Sequence, residues 1–166
     1  MRGAGWNGSD PALVVLGARQ RLYCLQDDWI TGQWPVSTGA AGFGCQADSG
    51  CTPTGLHRIG ACIGAGAQAG TVFKSRRPTG QIVADTESPV GDFITTRILW
   101  LEGLEEGHNR GPGVDTRDRY IYIHGTPHAQ NLGQPVSAGC IRMSDSDVQV
   151  LFDRVAVGTL VLILPA

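Results

Sequence analysis

The chain carries a single lysine, Lys74, and only 17% of its residues are charged. Its 13 basic residues are scattered, its net charge is -2, and no basic stripe or arm stands out. That distribution excludes the electrostatic footprint of a nucleic-acid binder. Long hydrophobic runs are missing too: the apolar stretch at 160–164 falls far short of the roughly 20 residues a membrane helix needs. Near the N-terminus, LVVLGA is too short for the core of a secretory leader, and Arg19 and Arg21 follow it. The expectation is a chain without a membrane span, cytoplasmic, or periplasmic if a leader has been removed. CxxC is absent, and the even spacing of Cys45, Cys51 and His57 is no familiar zinc pattern. Neither a metal nor a cofactor is expected. The five cysteines are an odd number, so a monomer, the expected state, keeps at least one free thiol. A Cys45–Cys51 disulfide suits an exported protein and not a reducing cytosol.

What is plentiful is turn chemistry: 24 glycines and nine prolines. A length of 166 residues suits one domain with a sizeable core. The reading is a flexible N-terminal segment over 1–11 and a single domain over 12–166. Strands are expected at Ala12–Leu16, 20–26, 29–37, 56–63, 95–101, 120–124 and 159–164, with Asp27-Asp28 turning a hairpin. Residues 38–55, 74–92 and 103–116 read as loops, long enough to wall a cleft. One helix is expected: Val148, Leu151, Phe152 and Val155 share a face, Ser144 fits its N-cap with Asp147 three residues on, and Gly158 fits its exit. The fold class is therefore mainly β, with one or few short helices.

The chemistry gathers around VSAGCIRM at 136–143. Gly139 permits a tight turn, which would expose the Gly139 and Cys140 N–H groups as an oxyanion hole. Arg142 raises the local positive potential, and the helix start at Ser144 adds its dipole, so the thiolate of Cys140 is expected to be favoured. A nucleophilic cysteine needs a base. Among His57, His108, His124 and His128, the candidate is His124, which ends the apolar stretch YIYIH and precedes Cys140 by sixteen residues. His124 and His128 at i, i+4 would suit a metal on a helix, but Gly125 and Pro127 rule out a helix there. The bland alternative is a buried structural cysteine and a satisfied histidine; a small redox or metal protein is a further one. Arg142 could bind a substrate carboxylate or a structural aspartate, and Tyr122 could line a pocket or belong to the core. Ser137 could act near the nucleophile or cap a turn, and His128 could touch substrate. His57 reads as packed, His108 as solvated, and Trp29, Trp34 and Trp100 as core.

His124-Gly125 followed by Ser137-Ala138-Gly139-Cys140-Ile141-Arg142 resembles the signature of the L,D-transpeptidase catalytic domain, the YkuD family. VSTG at 36–39, TPTGLHRI at 52–59, TTRILWLEG at 95–103 and RYIYIHGTP at 119–127 are similar to further family blocks. Together they extend the resemblance over about residues 12 to 164. Many members have His in the place of Ala138, and others have Lys or Arg. The resemblance implies a β-sandwich-like fold and action on peptidoglycan stem peptides or muropeptides. It makes Cys140 the nucleophile that forms a thioester, and His124 the base. The Gly125 carbonyl would hold the other ring nitrogen, Gly139 and Cys140 would supply the oxyanion donors, and Arg142, Ser137, Tyr122 and His128 would contact substrate. An amine acceptor gives a 3–3 cross-link; water makes the enzyme an L,D-carboxypeptidase. The change at Ala138 leaves open a non-catalytic peptidoglycan-binding module.

Overall fold

Asp27 and Asp28 both adopt positive φ, 50° and 65°, the conformation that joins twisted strands through a two-residue turn. In the structure, a computed structural model describing residues 5–83 and 90–166, this turn links β2 (Arg21–Gln26) to β3 (Trp29–Pro35). The expected strands recur as β1 (Ala12–Leu16), β4 (Gly55–Ile63), β7 (Ile94–Gly103), β8 (Tyr122–Thr126) and β10 (Leu160–Leu164). All strands belong to one curled, mainly β sheet. Its main path runs β3-β2-β1-β10-β4-β7, and the sheet branches at β7.

Three elements differ from the reading of the sequence. The stretch 74–92 is not all loop: β5 (Thr71–Lys74) and β6 (Arg77–Ile82) form a hairpin on β7. Its turn residues, Ser75 and Arg76, hold φ of 49° and 66° without a glycine or asparagine to announce them. Residues 84–89 of that stretch lie outside the described residues. β8 does not end at His124 but continues through Gly125 to Thr126. Finally, Ile141–Ser144 forms β9, parallel to β8, a strand the sequence reading did not include.

The helix α1 (Asp145–Phe152) starts as predicted, with Ser144 Oγ accepting from the Asp147 N–H at 3.1 Å. It stops at Phe152, so Gly158, at φ 96°, turns the chain before β10 and does not cap the helix. Val148 and Leu151 bury its inner face against Leu99, Ile123, Ile141 and Met143. Of the N-terminal segment expected to be flexible, Gly8 and Ser9 accept hydrogen bonds from the β2 end, from Asp27 N–H at 2.6 Å and from the Gln26 amide at 2.9 Å. Trp34 is buried, but Trp29 is 75% exposed and belongs to no core. No helix among the described residues is long and apolar enough to cross a membrane.

Candidate active site

The parallel β8–β9 ladder sets the site. Ile123 pairs with Ile141 and His124 with Arg142, which puts Cys140, one residue before β9, beside Tyr122. Strand alternation then places Tyr122 and His124 on one face of β8, with Cys140 and Arg142 on the matching face beside them. The Tyr122 N–H donates to Cys140 Sγ at 3.4 Å, and the sulfur lies 3.5 Å from the Tyr120 carbonyl. Cys140 is half-buried and His124 is buried.

His124 Nδ1 lies 2.8 Å from the Gly125 carbonyl. A carbonyl only accepts, so Nδ1 carries the proton and Nε2 presents its lone pair. Burial pulls the ring down from 6.5 to about 4, against the opposing effects of the Gly125 carbonyl and Asp92. It is therefore a neutral imidazole at neutral pH. Gly125 is required by packing: a Cβ there would collide with the Asp145 carboxylate and lie 2.6 Å from the Thr95 carbonyl oxygen. Thr95 Oγ1 also donates to Asp145, which joins β7 to the start of α1.

The thiolate expected at Cys140 is not favoured. Burial pushes the thiol up to about 11, assisted by Asp92 and opposed by the Tyr122 N–H, Arg142 and Arg119. The helix dipole does not help, because β9 intervenes: four strand residues put Ser144 roughly 13 Å from Cys140, and the dipole effect fades within a turn. The resting pair is thiol plus neutral imidazole.

Gly139 has φ 119°, and a Cβ there would lie 3.0 Å from the Cys51 carbonyl oxygen, so the turn into the cysteine needs glycine. Its N–H is not free for an oxyanion as expected; it donates to Ser137 Oγ at 3.1 Å. Ser137 is buried and its hydroxyl also donates to the Cys140 carbonyl, so it braces the turn. Thr52 adds a second brace, donating to the Gly139 carbonyl at 2.9 Å and accepting the Gly39 N–H at 2.8 Å.

The other expected substrate residues are engaged within the chain. Arg142 is buried, and its Nη2 lies 2.7 Å from Asp92 Oδ2. His128 Nε2 donates to the Gly91 carbonyl at 2.8 Å. Tyr122 is buried edge-on against Trp100, and its hydroxyl accepts from Arg76 at 3.2 Å. Ala138 is exposed and borders a cleft of about 380 Å³ that Tyr120, Arg119, Asp48 and Asp118 also line. His57 is fully buried between the Gly55 carbonyl and Thr116 Oγ1. His108 is exposed, yet its Nε2 reaches Thr54 Oγ1 at 3.1 Å and Cys45 Sγ at 3.7 Å. All five cysteines are free thiols. Among the described residues, no group of three or more His, Cys, Asp and Glu side chains is placed to hold a metal.

Thr52, Asp92 and Arg119 were missed as site residues. Thr52 sits in the TPTG block, which could have flagged it. Arg119 donates to the Cys51 carbonyl at 2.6 Å and to the Gly44 carbonyl at 3.1 Å, and no local pattern announces that.

A curled β sheet with a cysteine at the entry to β9 and a histidine two residues along on the adjoining parallel strand β8, backed by one short helix, defines a β-rich domain with a cysteine and a histidine on one sheet face. The L,D-transpeptidase catalytic domain model (YkuD) matches residues 10–163, and the chain belongs to that family. It is 48% identical over 93 residues to the putative L,D-transpeptidase YqjB of Bacillus subtilis, a match covering 48% of this chain and 53% of that protein. It is 48% identical over 46 residues to the probable L,D-transpeptidase ErfK/SrfK of Escherichia coli, covering 28% of this chain and 15% of that one. The chain thus spans about half the length of the first relative and less of the second. In fold it is similar to L,D-transpeptidase 3 from Mycobacterium tuberculosis, at TM-score 0.58 and 18% identity, covering 93% of this chain and 61% of that one. It is also similar to LdtMt1, solved in complex with imipenem, at TM-score 0.57 and 18% identity, covering 95% and 60%.

Proposed function

We propose that this domain transfers acyl groups of peptidoglycan stem peptides through a thioester on Cys140. The observation that carries the reading is the shared face of β8 and β9: a sulfur beside Tyr122 and, two residues further along β8, an imidazole whose Nδ1 is committed to the Gly125 carbonyl. That arrangement leaves Nε2 as the base. In the reaction, Nε2 takes the thiol proton as Cys140 Sγ attacks the carbonyl at the L-centre of a diaminopimelate residue. The tetrahedral oxyanion is assigned to the Cys140 N–H, because Gly139 N–H is held by Ser137. Collapse expels D-alanine, whose amine receives the proton from the imidazolium. His124 then deprotonates the incoming amine, and the amide replaces the thioester.

A high thiol pKa suits this mechanism. Proton transfer concerted with attack needs no standing thiolate, and a neutral imidazole is the form that can accept the proton. Intact-mass spectrometry after imipenem tests the reading. A covalent adduct is expected on the native chain and none on Cys140→Ala or on a folded His124→Ala. An adduct that persists in Cys140→Ala, or no adduct on the folded native chain, overturns it. With a tetrapeptide muropeptide, a cross-linked dimer is expected; a tripeptide alone assigns water as the acceptor.

A further inference from the structure

We infer that Asp92 is an internal substitute for a substrate carboxylate, holding the anion subsite of Arg142 until a donor displaces it. The inference rests on the proposed donor site and names how that site selects its ligand. Arg142 projects from β9 two residues beyond Cys140, on the same strand face, roughly 7 Å along the strand. Its side chain is 9% exposed, and a buried guanidinium requires an anion. The anion present belongs to a side chain that is itself 53% exposed.

The fit is incomplete. Asp92 meets Nη2 through one oxygen at 2.7 Å, while the buried Nε of Arg142 has no hydrogen-bond partner among the described residues. A guanidinium offers Nε and Nη2 as a fork that a carboxylate can occupy with both oxygens. A free carboxylate on the substrate, meeting both nitrogens, would fill that fork better than the aspartate does. Asp92 and Arg142 each act electrostatically on both Cys140 and His124, so the pair adjoins the reacting groups. His128, holding the Gly91 carbonyl at 2.8 Å, anchors the backbone that presents the aspartate. The ligand class that would displace the aspartate is therefore a donor bearing a free carboxylate.

Alkylation of Cys140 tests this without any turnover. Iodoacetate carries a carboxylate and iodoacetamide does not; both need only the sulfur. The ratio of their rates at Cys140, read by peptide mapping so that the other four cysteines are separated, cancels changes in thiol reactivity. Asp92→Asn should raise the iodoacetate-to-iodoacetamide ratio about two- to fivefold, the range expected for removing a single ion-pair competitor. Adding Arg142→Gln should return the ratio to the native value. An unchanged ratio in Asp92→Asn overturns the inference, and so does a raised ratio that survives Arg142→Gln. Melting curves for both variants exclude unfolding as the cause. A shifted ratio with no imipenem adduct would sink the acyl-transfer reading and leave the subsite standing; an adduct with no shift would do the reverse.

Discussion

His124 and Arg142 are register partners across the parallel β8–β9 ladder. The pairing brings a neutral base and a fixed cation together on one sheet face, with the sulfur two residues along. It also explains the resting charge state. Arg142 opposes protonation of the ring, Asp92 favours it, and burial decides the outcome by holding the imidazole near 4.

That value fixes the acid limb of the reaction. Cys140→thioester formation with imipenem should proceed at a nearly constant rate through neutral pH and fall as the ring protonates around pH 4, not around its ordinary 6.5. The thiol, near 11, contributes no standing thiolate to that plateau. Initial acylation rates from pH 3.5 to 9, normalised to folded protein, check this. A midpoint at 6.5 would show a solvated ring.

Stability should follow pH for a related reason. Burial holds both His57 and His124 at about 4, against 6.5 when unfolded. Between these values the unfolded chain binds protons that the folded chain refuses. Stability is therefore full above 6.5 and is lost as pH falls towards 4, by up to about 3 kcal/mol for each histidine. Urea unfolding at pH 7, 5.5 and 4.5 measures the slope, and His57→Gln should lower it.

Gly125→Ala should lower both stability and acylation. The added methyl meets the Asp145 carboxylate and lies 2.6 Å from the Thr95 carbonyl oxygen, so β8 must shift where it carries His124. Overpacking of this kind costs about 1–3 kcal/mol. Denaturant midpoints and imipenem acylation rates check the two effects, and a variant with native stability and native rate would show that the site tolerates the methyl.

The parts of the fold legible in the sequence were those with a local cause. The Asp27-Asp28 turn, the apolar strands and the Ser144 cap each follow from neighbouring residues. The β5–β6 hairpin was hidden because β6 is exposed along its whole length, so it shows no alternation, and because Ser75-Arg76 is an unadvertised positive-φ turn. β9 was hidden because its four residues lie between a loop and a cap. Missing it made the helix look close to the sulfur. The cysteine and histidine could be read from their motifs, whereas Asp92 could not: it reaches Arg142 across 50 residues, through a contact that only the folded chain makes.

The distance from helix to sulfur yields the last expectation. Ser144→Ala removes the hydroxyl that accepts the Asp147 N–H, which should cost about 1 kcal/mol of stability. If the helix start activated the thiol, loosening its first turn would also slow acylation. Since β9 separates Ser144 from Cys140 by its full length, and a dipole's influence is confined to the end of its helix, the rate should stay within about twofold of native. Unfolding midpoints paired with imipenem acylation rates on the folded variant decide this. A large loss of rate with an intact fold would return the helix to the mechanism and make the braces at Ser137 and Thr52 insufficient to hold the nucleophile's turn.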